Sequence, residues 1–97
     1  MILFINTKEQ NRVEVTLKKD GKIIKTLSAK NKFGSQVLLS LIVKLLKNVH
    51  LDGIEVETGP GSFTGLRVGI SIANSISFAG LIKVNGKKVG EIEKPQY

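Results

Sequence analysis

The sequence contains no cysteine and no tryptophan, and its 97 residues include one methionine, one tyrosine, one histidine and two prolines. Without thiols there is no disulfide framework, no thiolate zinc site and no cysteine nucleophile. That suits a reducing compartment, and a cytoplasmic location is the expectation. His50 has neither a cysteine nor a second histidine with which to share a metal. It reads as a residue near the C-terminus of a helix, where the helix dipole favours it. Long apolar runs are also missing: none approaches the roughly 18 residues of a membrane span. Met1-Ile2-Leu3-Phe4-Ile5-Asn6 is too short and too uncharged to be a signal peptide. Acidic residues are few, 8 against 15 lysines and arginines, which leaves a net charge of +7 and a pI near 9.9. Such a balance favours polyanions, an acidic protein partner, or simply a solvated lysine surface.

What remains is enough for one small domain. The chain is 41% hydrophobic with a mean hydropathy of +0.08, so it can build a core, but a small one. Ile2-Leu3-Phe4-Ile5 is apolar on both faces and reads as a central strand. Arg12 to Lys18 alternates polar and apolar residues. Asp20-Gly21 is the strongest short hairpin signal, and Ile23 to Ser28 is the return strand. The region 30–34 is a loop ending in a candidate helix cap at Ser35, and the first helix is expected from Gln36 to Asn48 or Val49. Gly53 to Thr58 alternates again. A strand covered on both faces would be continuously apolar. Glu55 and Glu57, with Arg12, Glu14, Thr16 and Lys18, therefore predict a sheet with one face in water. These two carboxylates could suggest acid–base chemistry, but a solvated face is the better reading. Leu81-Ile82-Lys83-Val84 starts a fifth strand. Asn85-Gly86 can turn it toward Lys88 to Ile92, and residues 93–97 form a tail after a domain over residues 1–92.

Between the fourth strand and a second helix expected over 66–80 stands Gly59-Pro60-Gly61-Ser62-Phe63-Thr64-Gly65-Leu66-Arg67. Three glycines and a proline in seven residues cannot continue a strand or a helix. Ser62 and Thr64 can each cap the following helix. The segment is a tight strand-to-helix loop at a helix N-terminus, a place that favours an anion or an acceptor group. It is not a Walker A loop, since no Gly-Lys-Ser/Thr follows. Nor is it a dinucleotide fingerprint, because the glycines run G-x-G-x-x-x-G and no acidic residue lies about 20 positions on.

The run Gly-Pro-Gly-Ser-Phe-Thr-Gly-Leu-Arg-Val-Gly at residues 59–69 resembles the signature of the TsaB (YeaZ) family, the bacterial subunit needed for threonylcarbamoyladenosine in tRNA. The resemblance runs from about Met1 to Val84 and is strongest from Phe33 on. It implies an α/β fold, half of a ribonuclease H-like (actin-like ATPase) core. Its order would be βββαβαβ, a mixed five-stranded sheet with two helices on one face. The family continues into a second such half; here the chain stops at Tyr97, so that domain would be absent. Where actin-like ATPases carry an aspartate at the end of the first strand, this chain has Asn6, which disfavours an ATPase role. The family's usual His-Ser is Gly34-Ser35.

Both helices carry apolar arcs of roughly 200°, far wider than the ≳100° stripe of an ordinary surface helix. One sheet cannot bury arcs of that width, and an exposed patch beyond a few hundred Å² marks an interface. The expected dimer or partner interface comprises Val37, Leu38, Leu41, Leu45, Leu66, Val68, Gly69, Ile72, Ala73 and Ile76. Gly69 and Ala73 are expected where helices approach most closely. The resemblance implies the same: TsaB pairs through these helices with the catalytic subunit TsaD, or with itself, and does not catalyse the transfer. TsaD holds the metal and the threonylcarbamoyl adenylate, and TsaE is an ATPase at their junction. ATP or ADP and a metal then belong to partner subunits, no cofactor to this chain, and tRNA is reached through the complex. Alternatives are a degenerate actin-like nucleotide-binding protein and a self-associating basic tRNA-binding module. Candidate RNA contacts for the latter are Lys18, Lys19, Lys22, Lys25, Lys30 and Lys32.

Overall fold

The computed structural model describes residues 1–9, 11–30, 35–80, 82–88 and 93–96. Strands β1 (Ile2–Asn6), β2 (Arg12–Lys19) and β3 (Lys22–Lys30) come first, followed by helix α1 (Ser35–Leu45), strand β4 (Gly53–Val56) and helix α2 (Phe63–Gly80). The sheet order is β3-β2-β1-β4. β1 to β3 form an antiparallel meander, and β4 lies parallel to β1. The hairpin forms where Asp20-Gly21 predicts it. Lys19 pairs with Lys22 across the turn, and both turn residues have positive φ, 52° and 78°, as a two-residue turn of matching twist requires.

Alternation in β2 sends Val13, Val15 and Leu17 to one face, beside Leu3 and Ile5 of β1 and Ile54 and Val56 of β4. Leu38, Ile42 and Leu45 of α1 and Leu66, Ile70 and Ala73 of α2 close over that face to form the core. The opposite face is polar, as the strand pattern predicts. Arg12 is exposed and Glu14 half-buried, but Thr16, expected in water, is buried, with its hydroxyl 3.1 Å from that of Thr26. The Lys18 ammonium sits 4.8 Å from the centre of the Phe4 ring and 3.2 Å from the Glu55 carboxylate. Glu57 lies beyond the strand and accepts the Gly59 N–H at 3.3 Å. The two carboxylates thus serve separate partners and make no acid–base pair.

Several boundaries differ from the sequence expectation. α1 ends at Leu45, before Asn48 and Val49, because Asn48 adopts a positive φ of 60°. α2 starts at Phe63 rather than Leu66 because Ser62 caps it. Among the described residues the sheet has four strands, not five. Val84 makes a single parallel bridge with Ile54, and then Asn85 and Gly86 turn with φ of 51° and 76°. The Asn85 carboxamide takes the place of a strand backbone, accepting from Val56 N at 2.9 Å and donating to Val56 O at 3.1 Å. The return strand expected over 88–92 and the loop over 31–34 lie outside the described residues, as does the Ser35 side chain.

Residues 93–96 are not a loose tail. Glu93 exchanges backbone hydrogen bonds with the Asn74 carboxamide at 3.2 Å, and Gln96 N donates to Thr58 O at 2.6 Å. The Glu93 carboxylate accepts from Lys87 Nζ at 2.9 Å and Asn85 Nδ2 at 2.8 Å. Burial alone would raise its pKa, but these hydrogen bonds outweigh burial and hold it below the ordinary glutamate value. A depressed folded-state pKa contributes stability above the unfolded value that is lost as pH falls through the folded one. The protection of the Glu93, Lys94 and Gln96 amides, taken relative to the intrinsic exchange rate at each pH, should therefore fall as acid protonates Glu93. Glu93→Gln should be less protected at neutral pH and lack that acid step.

Candidate functional site

The loop between β4 and α2 is shaped by contact with the end of β1. Ser62 N donates to Lys8 O at 2.7 Å, and Ser62 Oγ accepts from Gly65 N at 3.3 Å, so Ser62 is the helix cap. Thr64 is exposed within the first turn and caps nothing. Thr7 is buried, and its hydroxyl donates to Gly65 O at 2.6 Å. Gly65 and Gly69 lie one turn apart on the same side of α2, and that side rests on Thr7. A Cβ on Gly65 would overlap the Thr7 carbonyl oxygen, and one on Gly69 would overlap the Thr7 hydroxyl. On Gly61 it would sit 2.7 Å from Lys8 O. Gly59, with φ of 116° and a cis peptide to Pro60, faces the Gln96 carbonyl. The loop amides of Ser62 and Gly65 are thus engaged within the chain. Asn6, where actin-like ATPases have aspartate, accepts from Lys8 N at 3.2 Å in a local turn. Arg67 points outward from this end of α2.

The outer face of the two helices is the second feature. Of the residues expected at an interface, Leu38, Leu45, Leu66, Gly69 and Ala73 are buried in the chain's own core. This corrects the expectation: α1 and α2 turn these positions toward the sheet, and Gly69 serves the contact with Thr7 rather than a helix of another protein. Val37, Leu41, Val68, Ile72 and Ile76 are half-buried. The large apolar side chains of the two helices that stand in water are Leu39, Val43 and Phe78, with 45%, 70% and 74% exposure. Leu39, Arg67, Val68, Ser71 and Ile72 line a depression of about 450 Å³ between the helices. Arg67 and Ser71 continue into a larger one of about 790 Å³ floored by Ile70 and walled by Phe78 and Pro95. Phe78 follows Asn74 by four positions and so extends the Arg67-Ser71-Asn74 polar stripe by one turn of α2. A lone aromatic there is the signal that could have marked this face from sequence.

Of the candidate RNA contacts, Lys19, Lys22, Lys25 and Lys30 are exposed. Lys18 is engaged with Phe4 and Glu55, and Lys32 lies outside the described residues. His50 is exposed and 3.7 Å from Asp52, whose carboxyl is held below its ordinary pKa by the N-terminal ammonium at 2.5 Å.

Residues 23–86 match the family model of TsaD, tRNA N6-adenosine threonylcarbamoyltransferase. Among solved structures the chain is similar to YeaZ from Pseudomonas aeruginosa, at 27% identity and a TM-score of 0.74, over 86% of this chain and 42% of that one. It is also similar to a protein from Pseudomonas aeruginosa described as uncharacterized with similarity to peptidase YeaZ. That match has 28% identity and a TM-score of 0.70, over 86% of this chain and 40% of the other. The chain thus spans less than half the length of these relatives. No curated protein matches the sequence.

If the glycines exist to admit Thr7, Gly69→Ala should cost about 1–3 kcal/mol by overpacking. Thr7→Ala should relieve part of that cost in the double variant. Gly65→Ala meets backbone and should not be relieved. Urea denaturation of the two double-mutant cycles measures both couplings.

Proposed function

The chain belongs to the TsaD, tRNA N6-adenosine threonylcarbamoyltransferase, family, and from that premise we propose that it is a non-catalytic scaffold subunit of the threonylcarbamoyladenosine-forming complex. It pairs with a TsaD-like catalytic subunit by packing helices against the outer face of α1 and α2. The observation that carries this reading is that face: Leu39, Val43 and Phe78 exposed beside half-buried Val68 and Ile72. Covering apolar surface releases about 25 cal/mol per Å², against which the costs of association are set. When the chain is alone, a second copy covers the same face.

The rest of the chain fits a supporting role. Its signature loop is packed onto Thr7 and Lys8 with the amides of Gly59, Ser62 and Gly65 already bonded, which disfavours a phosphate site there. The metal and the ATP or ADP of the system reside in the TsaD-like subunit and a TsaE-like ATPase. tRNA is reached through the assembled complex in the cytoplasm. No helix among the described residues is long and apolar enough to cross a membrane.

Val43→Asp and Phe78→Asp should keep stability within about 0.5 kcal/mol, since both side chains stand in solvent. Each should weaken association with the cognate TsaD-like protein by about tenfold or more, read by sedimentation velocity. Ala73→Arg should behave differently. Ala73 is fully buried, so an arginine there should unfold the chain rather than dissociate it. Folded aspartate variants that assemble normally would exclude this face as the interface.

A further inference from the structure

The edge of the sheet at β3 carries a surface that neither the helical face nor the signature loop uses. Among the described residues β3 pairs only with β2, so one side of its backbone is unpaired. The ladder is regular from Leu17↔Lys25 to Arg12↔Lys30, which leaves a straight edge over Lys25–Lys30 with no proline and no bulge. The single register irregularity lies before it, between Leu17 and Lys18.

Beside this edge runs a groove. α1 packs over β2 and β3, and the space along its outer side is a depression of about 320 Å³. Ala29, Val37 and Leu41 line it, with Lys44 at its rim. A strand added to β3 would lie about 4.8 Å away and send every second side chain into that groove. Neither β3 nor α1 contains a single carboxylate, while Lys22, Lys25, Lys30 and Lys44 lie along them. None of these four forms an ion pair among the described residues.

We propose that the β3 edge and the α1 groove together bind an extended segment of another protein by strand addition, and that the segment alternates apolar with acidic residues. Main-chain hydrogen bonds supply the attachment, and pockets for alternate side chains supply the selectivity. Lysines on an edge strand ordinarily discourage pairing with a like edge. Here they select the sign of the partner. A second copy of this chain is disfavoured because its β3 would set lysines against lysines. RNA would satisfy the lysines but leave the groove and the unpaired backbone unused.

The test uses the full chain, uniformly labelled with nitrogen-15, and a blocked synthetic peptide of alternating glutamate and valine. Two further peptides are N-methylated at one or the other set of alternate residues, which removes backbone donors without changing charge. Strand addition predicts three results. Amides within residues 25–30 gain about tenfold protection from hydrogen exchange on peptide binding. Only one of the two N-methylated peptides loses affinity, by about tenfold or more. The exposed-charge variant Lys25→Glu/Lys30→Glu/Lys44→Glu, which remains folded, weakens the unmodified peptide by a similar factor. Equal binding of both N-methylated peptides, or binding without amide protection, would reduce the surface to a charged patch and overturn the proposal. Two other outcomes would also overturn it: no binding at millimolar peptide, and an oligouridylate that binds these lysines while the peptide does not.

Discussion

Everything in this small fold rests on how closely α2 approaches the end of β1. Gly65 and Gly69 present bare backbone to Thr7, and Gly61 does the same for Lys8. The Thr7 hydroxyl then bonds a first-turn carbonyl of the helix, and Lys8 O receives the Ser62 amide. A methyl group at either helical glycine would push α2 off the sheet. That displacement would move Leu66, Ile70 and Ala73 out of register with Ile54 and Val56, the main apolar contact of the crossover. A domain of 97 residues buries only a modest fraction of its surface, so it has little spare packing to lose.

This constraint also distributes function over the molecule. A glycine-rich loop at a helix N-terminus could have cradled an anion. Here it seats closely on β1 as a packing device, and the exposed apolar and basic surfaces lie elsewhere. The sheet shows water a charged and hydroxylated face, with Lys18 bridging Phe4 and Glu55. The helices show an apolar outer face, and β3 shows a basic unpaired edge. Three surfaces of different chemistry support the scaffold role proposed above.

Much of this was legible in the residues. Asp20-Gly21 between alternating strands announced the hairpin, and Glu55 announced the wet face of the sheet. The run at 59–69 led to TsaB (YeaZ), and YeaZ structures are among those this chain is similar to, while the family model that matches residues 23–86 is that of TsaD. The orientation of the helices was not legible, for a physical reason. When nearly every position on a helix is apolar, periodicity cannot say whether Leu38 or its neighbour Leu39 faces the sheet. Tertiary packing decides it: Leu38 is buried and Leu39 is 45% exposed. Gly69 and Ala73 looked like a seam for a foreign helix because small residues serve any close approach; here the approach is to the chain's own strand. Asn85-Gly86 was correctly a turn. What composition could not reveal is that the Asn85 side chain would pair with Val56 and end the fifth strand after one bridge.

The central claim is that the outer face of α1 and α2 is where the catalytic partner sits. Hydrogen–deuterium exchange of this chain alone and in a saturating amount of its cognate TsaD-like protein tests it directly, because it maps the covered surface without altering a residue. The account predicts that α1 (Ser35–Leu45) and the length of α2 (Phe63–Gly80) gain protection while β2 does not. Protection confined to the sheet, with both helices exchanging as in the free chain, would contradict it.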